Sequence, residues 1–396
     1  MALDAFRAEA RAWLEANCPA AMRAPMQSEA DICWGGRDWE FASADQKLWL
    51  ERMAAKGWTA PTWPVDYGGG GLSREQHKVL KAEMARIKAR SPLESFGLWM
   101  LGPALLKYGD AAQKAEHLLK ICRGEIRWCQ GYSEPGAGSD LAALQTKAED
   151  KGDHFLVNGA KIWTSYADRS DWIFCLVRTD AQAPKHQGIS FLLFDMASAG
   201  VSTQPITLIS GKSPFCQTFF DDVKVPKENL VGERNKGWEI AKYLLADERE
   251  VIGAGGAVAG PLGLRAIGEV AADALGRDAA GRLDDPSLRA EAMRADVDAW
   301  AFMLTADRLK DEAAAGRPVG ARSSLLKYYG SELNKRRYEL AMRAGGSDAL
   351  AWEGARSNEG ELARAWLRTK ANSIEGGTSE VQLNILAKRV LELPQG

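Results

Sequence analysis

The sequence predicts an α+β chain of three parts. These are an N-terminal α-helical domain over 1–125, a middle antiparallel β-barrel or sandwich domain over 126–235, and a C-terminal helical domain like a four-helix bundle over 236–396. Three observations predict this. Apolar residues recur at three- and four-residue spacing at both ends of the chain, as in Phe6, Ala10, Trp13 and Leu14. Between the ends lies a run of short segments rich in β-branched and aromatic residues, separated by turn signals. No helical period interrupts that run, which argues for an antiparallel unit rather than alternating strands and helices.

Residues 3–17 and 43–56 read as amphipathic helices. The Pro- and Gly-rich stretch 57–71 is a loop. Ser73 starts the next helix, and Gln76 three residues on completes a capping box. Apolar helices follow near 94–107 and 111–121. Strands are expected over 153–163, 171–178, 188–195, 201–208 and 216–225, with a hairpin signal at Val157, Asn158 and Gly159. Helical spacing returns over 236–275, 287–315 and 319–343, then over 360–371 and 379–392. Long helices with short connections suit an antiparallel bundle. Gly345-Gly346 and Glu375-Gly-Gly-Thr378 break it as loops.

A net charge of −2 gives no electrostatic case for nucleic acid or an anionic membrane surface. Six cysteines without C-x-x-C spacing argue against a structural zinc site and a redox dithiol; buried free thiols of a reduced compartment are expected. The N-terminus has no long apolar h-region, and no stretch approaches the ~18 apolar residues of a membrane span. A cytoplasmic protein is the expectation. Four scattered histidines suggest no metal or catalytic cluster.

The chemistry-bearing segments are Tyr132-Ser-Glu-Pro-Gly-Ala-Gly-Ser-Asp140 and, about twenty residues on, Gly159-Ala-Lys-Ile-Trp-Thr-Ser165. Pro135, Gly136 and Gly138 suit a tight loop that offers backbone N–H groups, with Ser133 and Ser139 adding hydroxyls. Taken alone, the loop could equally be an exposed turn. The following Trp163 offers a flat face to a flat ring. Together the two segments closely resemble the flavin-binding segments of the acyl-CoA dehydrogenases, and the resemblance runs along essentially the whole chain. It implies that FAD is held by Gln130, Tyr132, Ser133, Ser139, Trp163, Thr164 and Ser165, with Trp163 against the isoalloxazine ring and Ser165 near the reactive nitrogen. Ser139 is also implied at the substrate.

The segment Ile374-Glu-Gly-Gly-Thr-Ser-Glu-Val-Gln382 resembles the family's loop near the thioester and the cofactor diphosphate. The resemblance places Thr378 and Glu380 by the cofactor and Gly376 and Gly377 by the substrate. The family's base often stands immediately before Gly-Thr. Here that position is Gly376, which cannot take a proton. In another family arrangement the base comes from the first long helix of the C-terminal domain. Glu248, followed by Arg249, matches it, with Arg249 as a contact to the substrate's pantetheine arm, a residue that holds the acid in place, or a plain helix-surface charge. One carboxylate suffices to remove one α-proton. Glu375 is the alternative base, and Glu248 could instead be one charge of a solvated run with Asp247 and Glu250.

The resemblance further implies that Arg277, Gly345 and Gly346 meet the flavin of a neighbouring subunit. Here Met342 and Ala280 replace the usual polar and aromatic residues of those segments. The implied reaction is oxidation of an acyl-CoA to its trans-2-enoyl-CoA in β-oxidation-type lipid metabolism. Its electrons pass to an electron-transfer flavoprotein, and the assembly is a homo- or heterotetramer. An acyl-CoA oxidase and a non-catalytic subunit of a heteromeric dehydrogenase are the alternatives.

Overall fold

A computed structural model describes residues 2–26, 29–245, 265–317 and 319–394. The chain sorts into two compact units. One comprises Met1–Ile206 and Pro214–Leu244, the other Thr207–Ser213 and Leu245–Gly396.

The first unit opens with helices α1 (Ala2–Asn17), α2 (Ala44–Ala55), α3 (Arg74–Arg86), α4 (Gly102–Tyr108) and α5 (Ala111–Cys122). The capping box at α3 forms as expected: Ser73 Oγ accepts from Gln76 N at 3.2 Å, and Gln76 Oε1 accepts from Ser73 N at 2.8 Å. Asp110 and Gln113 repeat the device at α5. The apolar stripe of α1, Phe6, Ala10 and Leu14, packs with Trp49, Met53, Trp58 and Leu80. The single helix expected near 94–107 is instead a π-helical turn, Gly97–Leu101, leading into α4. Where α4 begins, Gly102 packs so closely that any Cβ there would overlap the Trp63 ring.

Seven strands follow among the described residues: β1 (Trp128–Gly131), β2 (Lys147–Asp150), β3 (His154–Ser165), β4 (Trp172–Arg178), β5 (Ile189–Asp195), β6 (Val201–Ile206) and β7 (Phe215–Pro226). They make one sheet rather than two stacked ones. β5 takes one edge of β4, while β1 and β2 meet its other edge; β3, β7 and β6 continue the order. The sheet is mainly antiparallel, but β1 runs parallel to β4, with Trp128 opposite Trp172. That pairing and β1 and β2 themselves depart from the sequence expectation. So does the segment at Val157–Gly159. It is no turn: β3 runs straight through with a register shift, and the chain actually reverses at Lys151–Asp153, where Gly152 has φ +97°. The helices join the sheet within this unit through Gln113 Nε2, which donates to the carbonyls of Glu228 and Leu230 at 2.7 and 2.8 Å.

Residues 237–245 are helical (α6). One continuous helix over 236–275 is not what the chain forms. Ala266 is extended (φ −59°, ψ 133°), and α7 (Ile267–Leu275) starts after it. Helices α8 (Pro286–Ala314), α9 (Ser323–Leu350), α10 (Glu361–Thr369) and α11 (Ser379–Arg389) complete the second unit. Gly345-Gly346 does interrupt the helix, though by a sharp kink rather than an extended loop: Gly346 is non-helical (φ 55°, ψ −138°), and α9 is two helices meeting there. Ile267, Ala271, Leu288, Ala295, Tyr338 and Ala341 form a shared core there.

All six cysteines are free and buried. Burial raises every one of these thiols, Cys33 to about 11 and Cys122 and Cys175 to about 12. Among the described residues no helix is long and apolar enough to cross a membrane.

A buried carboxylate staples the N-terminal helices. Glu83 on α3, 2% exposed, accepts from Arg11 at 3.0 and 3.1 Å, Arg7 at 3.3 Å and Arg86 at 2.7 Å. The Arg11 hydrogen bond above all, opposed by burial, holds its pKa down to about 2, below the ordinary 4.5. Its stabilisation is therefore complete above about 4.5 and is lost as pH falls toward about 2. Glu83→Gln should be less stable than the parent at pH 7, with a smaller gap at pH 3; urea midpoints at the two values check this.

Candidate functional site

The loop after β1 is built around a charge, not around its glycines. Glu134 is 8% exposed and Lys161 of β3 is fully buried. Lys161 Nζ donates to Glu134 Oε1 at 2.7 Å and to the Tyr132 carbonyl at 3.1 Å. The same carboxylate accepts from Gln145 N at 2.6 Å and Thr146 N at 2.9 Å. Burial alone would raise the Glu134 carboxyl; Lys161's charge and the hydrogen bonds outweigh it and leave the group ionised. The turn closes by paired backbone bonds between Glu134 and Ala137, both 3.0 Å. Ile162 N donates to the Ser133 carbonyl at 2.9 Å, which docks the loop on the strand carrying Trp163 and Ser165. The two segments singled out in the sequence are thus brought together.

Their side chains divide. Trp163 (φ +60°) stands at a register shift of β3, 50% exposed, with Phe215 edge-on at 6.0 Å. Ser133 and Ser165 are partly exposed and Ser139 exposed. The N–H groups of Gly136, Gly138 and Ser139 meet no protein acceptor among the described residues, and a Cβ on either glycine would touch nothing within 4 Å. Gln130 Nε2 is buried without a partner among the described residues. Such a set, a flat half-open ring with free amides, hydroxyls and an orphaned amide donor, fits a polyphosphate-bearing cofactor with a flat ring. Two predicted contacts sit deeper: Tyr132's ring is buried edge-on to Phe174 and Phe191, and Thr164 is fully buried.

In the second unit, Gly376 (φ +62°) and Gly377 (φ +91°) occupy left-handed backbone that a side chain would strain. Gln382 Nε2 donates to the Gly376 carbonyl at 3.1 Å, while the N–H groups of Gly376 and Gly377 meet no acceptor among the described residues. Thr378 caps α11, accepting from Val381 N at 3.2 Å. Glu380 is exposed, and its own backbone N–H and the Thr378 hydroxyl hold its carboxyl below the usual range. Glu375 is committed: Arg368 donates to both its oxygens at 3.2 and 2.8 Å, and Asn372 adds a bond at 2.8 Å. Lys327, fully buried on α9, donates to the Asn372 carbonyl at 2.7 Å; burial lowers its pKa against the pull of Glu375 and Glu332. Arg277 donates to Gly281 in its own turn, and Gly345 lies against Ala349. No hydrogen bond joins either to the 375–380 loop among the described residues. Glu248 and Arg249 lie outside the described residues.

Sequence reasoning missed Glu134, Lys161 and the Lys327–Asn372–Arg368 set. A lysine amid the apolar end of β3 and a glutamate inside a Gly-Pro turn were the available signals.

Comparison with known proteins agrees with this architecture. Sequence models of the acyl-CoA dehydrogenase N-terminal, middle and C-terminal domains match residues 2–125, 129–223 and 235–391. The chain belongs to the acyl-CoA dehydrogenase family, a family of flavin-dependent oxidoreductases. It is 35% identical over 393 residues to acyl-CoA dehydrogenase IpdE1 of Mycobacterium tuberculosis, covering 99% of this chain and 98% of that protein. Among solved structures it is similar to the Tcur3481-Tcur3483 steroid ACAD, with TM-score 0.76, 30% identity and 100% and 98% coverage. It is also similar to the ChsE4-ChsE5 complex of Mycobacterium tuberculosis, with TM-score 0.74, 29% identity and the same coverage.

Lys161→Met should strand Glu134 as an unpaired buried charge and cost about 3–5 kcal/mol. Pairing it with Glu134→Gln should restore part of that loss; guanidinium unfolding of both variants measures it.

Proposed function

We propose that this chain catalyses FAD-dependent α,β-dehydrogenation of an acyl-CoA thioester to the trans-2-enoyl-CoA, with electron-transfer flavoprotein as acceptor. The observation that carries it is the Ser133–Asp140 loop docked on the Trp163–Ser165 strand end, with the amides of Gly136, Gly138 and Ser139 meeting no acceptor among the described residues. FAD, when bound, supplies the hydride acceptor. Gln130, Ser133, Ser139, Trp163 and Ser165 would hold and orient it, with Thr378 and Glu380 as further contacts. Glu248 takes the α-proton. That proton is too weakly acidic for a free carboxylate in water, so the thioester oxygen must be met by fixed donors and water excluded. The unengaged N–H of Gly376 supplies such a donor. A ring-bearing acyl group is the first substrate class to try, given the steroid relative.

A second reading has a specific support. Two structural relatives are named as two-component assemblies, and Met342 and Ala280 depart from the segments that serve a neighbour's flavin. On that reading the chain carries its own flavin half and a different subunit completes it. A yellow, flavin-loaded product from the chain expressed by itself would remove this reading.

Glu248→Gln should retain flavin and lose turnover by about a hundredfold or more. Glu375→Gln should keep most of its turnover, because that carboxylate is already bonded to Arg368 and Asn372. Dye-reduction assays with a panel of CoA thioesters decide both, and the opposite pattern would return the base to the loop.

A further inference from the structure

Arg127 lies immediately before β1 and outside every role assigned above. It is 4% exposed, yet its guanidinium has no hydrogen bond or ion pair among the described residues. Its neighbours are rings. The guanidinium carbon lies 4.8 Å from the centroid of Trp34 and 5.1 Å from that of Tyr166, and those rings are 5.0 Å apart. Phe96 stands 6.2 Å from Trp34, and Trp99 5.3 Å from Phe96. All four rings are partly exposed. The nearest acids do not neutralise the charge. Asp171 Oδ2 is taken by the backbone N–H groups of Arg127 and Arg37, both at 2.8 Å, and Asp168 pairs with Arg169 at 3.6 Å.

Asp168's charge favours the guanidinium without bonding to it; a buried guanidinium with no acid bonded to it is costly, and ring faces offset only part of that cost. Burial pulls this one down to about 10. The backbone beside it is also held under strain: Tyr166 sits at φ +51°, a region a bulky side chain rarely occupies. Tyr166 follows Ser165 directly, so the aromatic row starts one residue from the segment proposed to meet the flavin.

We propose that Arg127 is a substrate-recognition residue that binds a carboxylate carried on the acyl group, whose flat apolar body lies along Trp34, Phe96, Trp99 and Tyr166. This rests on the acyl-CoA reading above. A guanidinium presents a planar fork of donors that matches a carboxylate, and the rings supply stacking surface for a fused-ring or unsaturated skeleton. The phosphates of CoA offer a second source of anionic oxygen. The apolar row favours the acyl carboxylate, because a doubly charged, hydrated phosphate gains little from four rings.

The test uses the full-length, flavin-loaded protein and two CoA thioesters of one ring-bearing diacid: the free acid and its methyl ester. Binding is read by calorimetry and turnover with an artificial acceptor. The wild type should prefer the acid, and Arg127→Met should weaken the acid by about tenfold or more while leaving the ester within about twofold. Arg127→Lys, which keeps charge and fold but not the fork, should fall between, and it serves if the methionine variant does not fold. Equal wild-type affinity for acid and ester overturns the proposal. So does an equal loss for both thioesters and for free CoA, which would assign the anion to a phosphate or the arginine to packing alone. Acid-selective binding without turnover would remove the reaction and keep the recognition site; turnover without acid selectivity would do the reverse.

Discussion

The buried pair Lys161–Glu134 is the constraint on which the proposed cofactor loop depends. Taking an ammonium and a carboxylate out of water is worthwhile only where the remaining donors and acceptors are also satisfied, and here they are. Lys161 reaches Tyr132's carbonyl, and Glu134 receives Gln145 and Thr146. The arrangement fixes three stretches at once: the start of the loop, the entry to β2 and the middle of β3. Because side-chain charge performs the anchoring, the amides of Gly136, Gly138 and Ser139 are left over. A loop tied down by its own N–H groups would have none to offer a ligand.

The Gly-Gly turn of the second unit follows the same logic with different means. Positive φ at Gly376 and Gly377 turns the peptide planes so that carbonyls meet Gln382 and the N–H groups meet no acceptor among the described residues. Glu375 is not spare acid beside them; it belongs to a scaffold with Arg368, Asn372 and, through Asn372, Lys327 and Asn334. This gives a physical reason for a base supplied from another segment of the chain. The position nearest Gly-Thr has no side chain, and its neighbour is occupied with holding the turn.

What the sequence disclosed was what is local. Capping at Ser73, the stripe of α1 and the strand character of β4 and β5 are written in neighbouring residues. β1 and β2 were not legible: Trp128-Cys-Gln-Gly131 and Lys147-Ala-Glu-Asp150 are four residues each and carry little β preference. They are strands because β4 and β3 lie beside them, and the parallel pairing of β1 is set by that distant contact. At Asn158 a turn signal was overridden by long-range bonds, since its side chain exchanges hydrogen bonds with Asp222 on β7, both 2.9 Å. In the site, motif residues were found but side-chain direction was not. Strand alternation, with Thr164 between outward Trp163 and Ser165, would have predicted that its hydroxyl faces inward. Arg127 gave no signal, because a lone charge ahead of a strand looks like any solvated residue until its surroundings are known.

The six sequestered thiols carry a practical corollary. With every thiol shielded and kept protonated, the native fold offers thiol-alkylating reagents almost nothing to attack. A single cysteine engineered onto an outer helix face would therefore accept a spectroscopic tag selectively, without first stripping the natural ones from the interior.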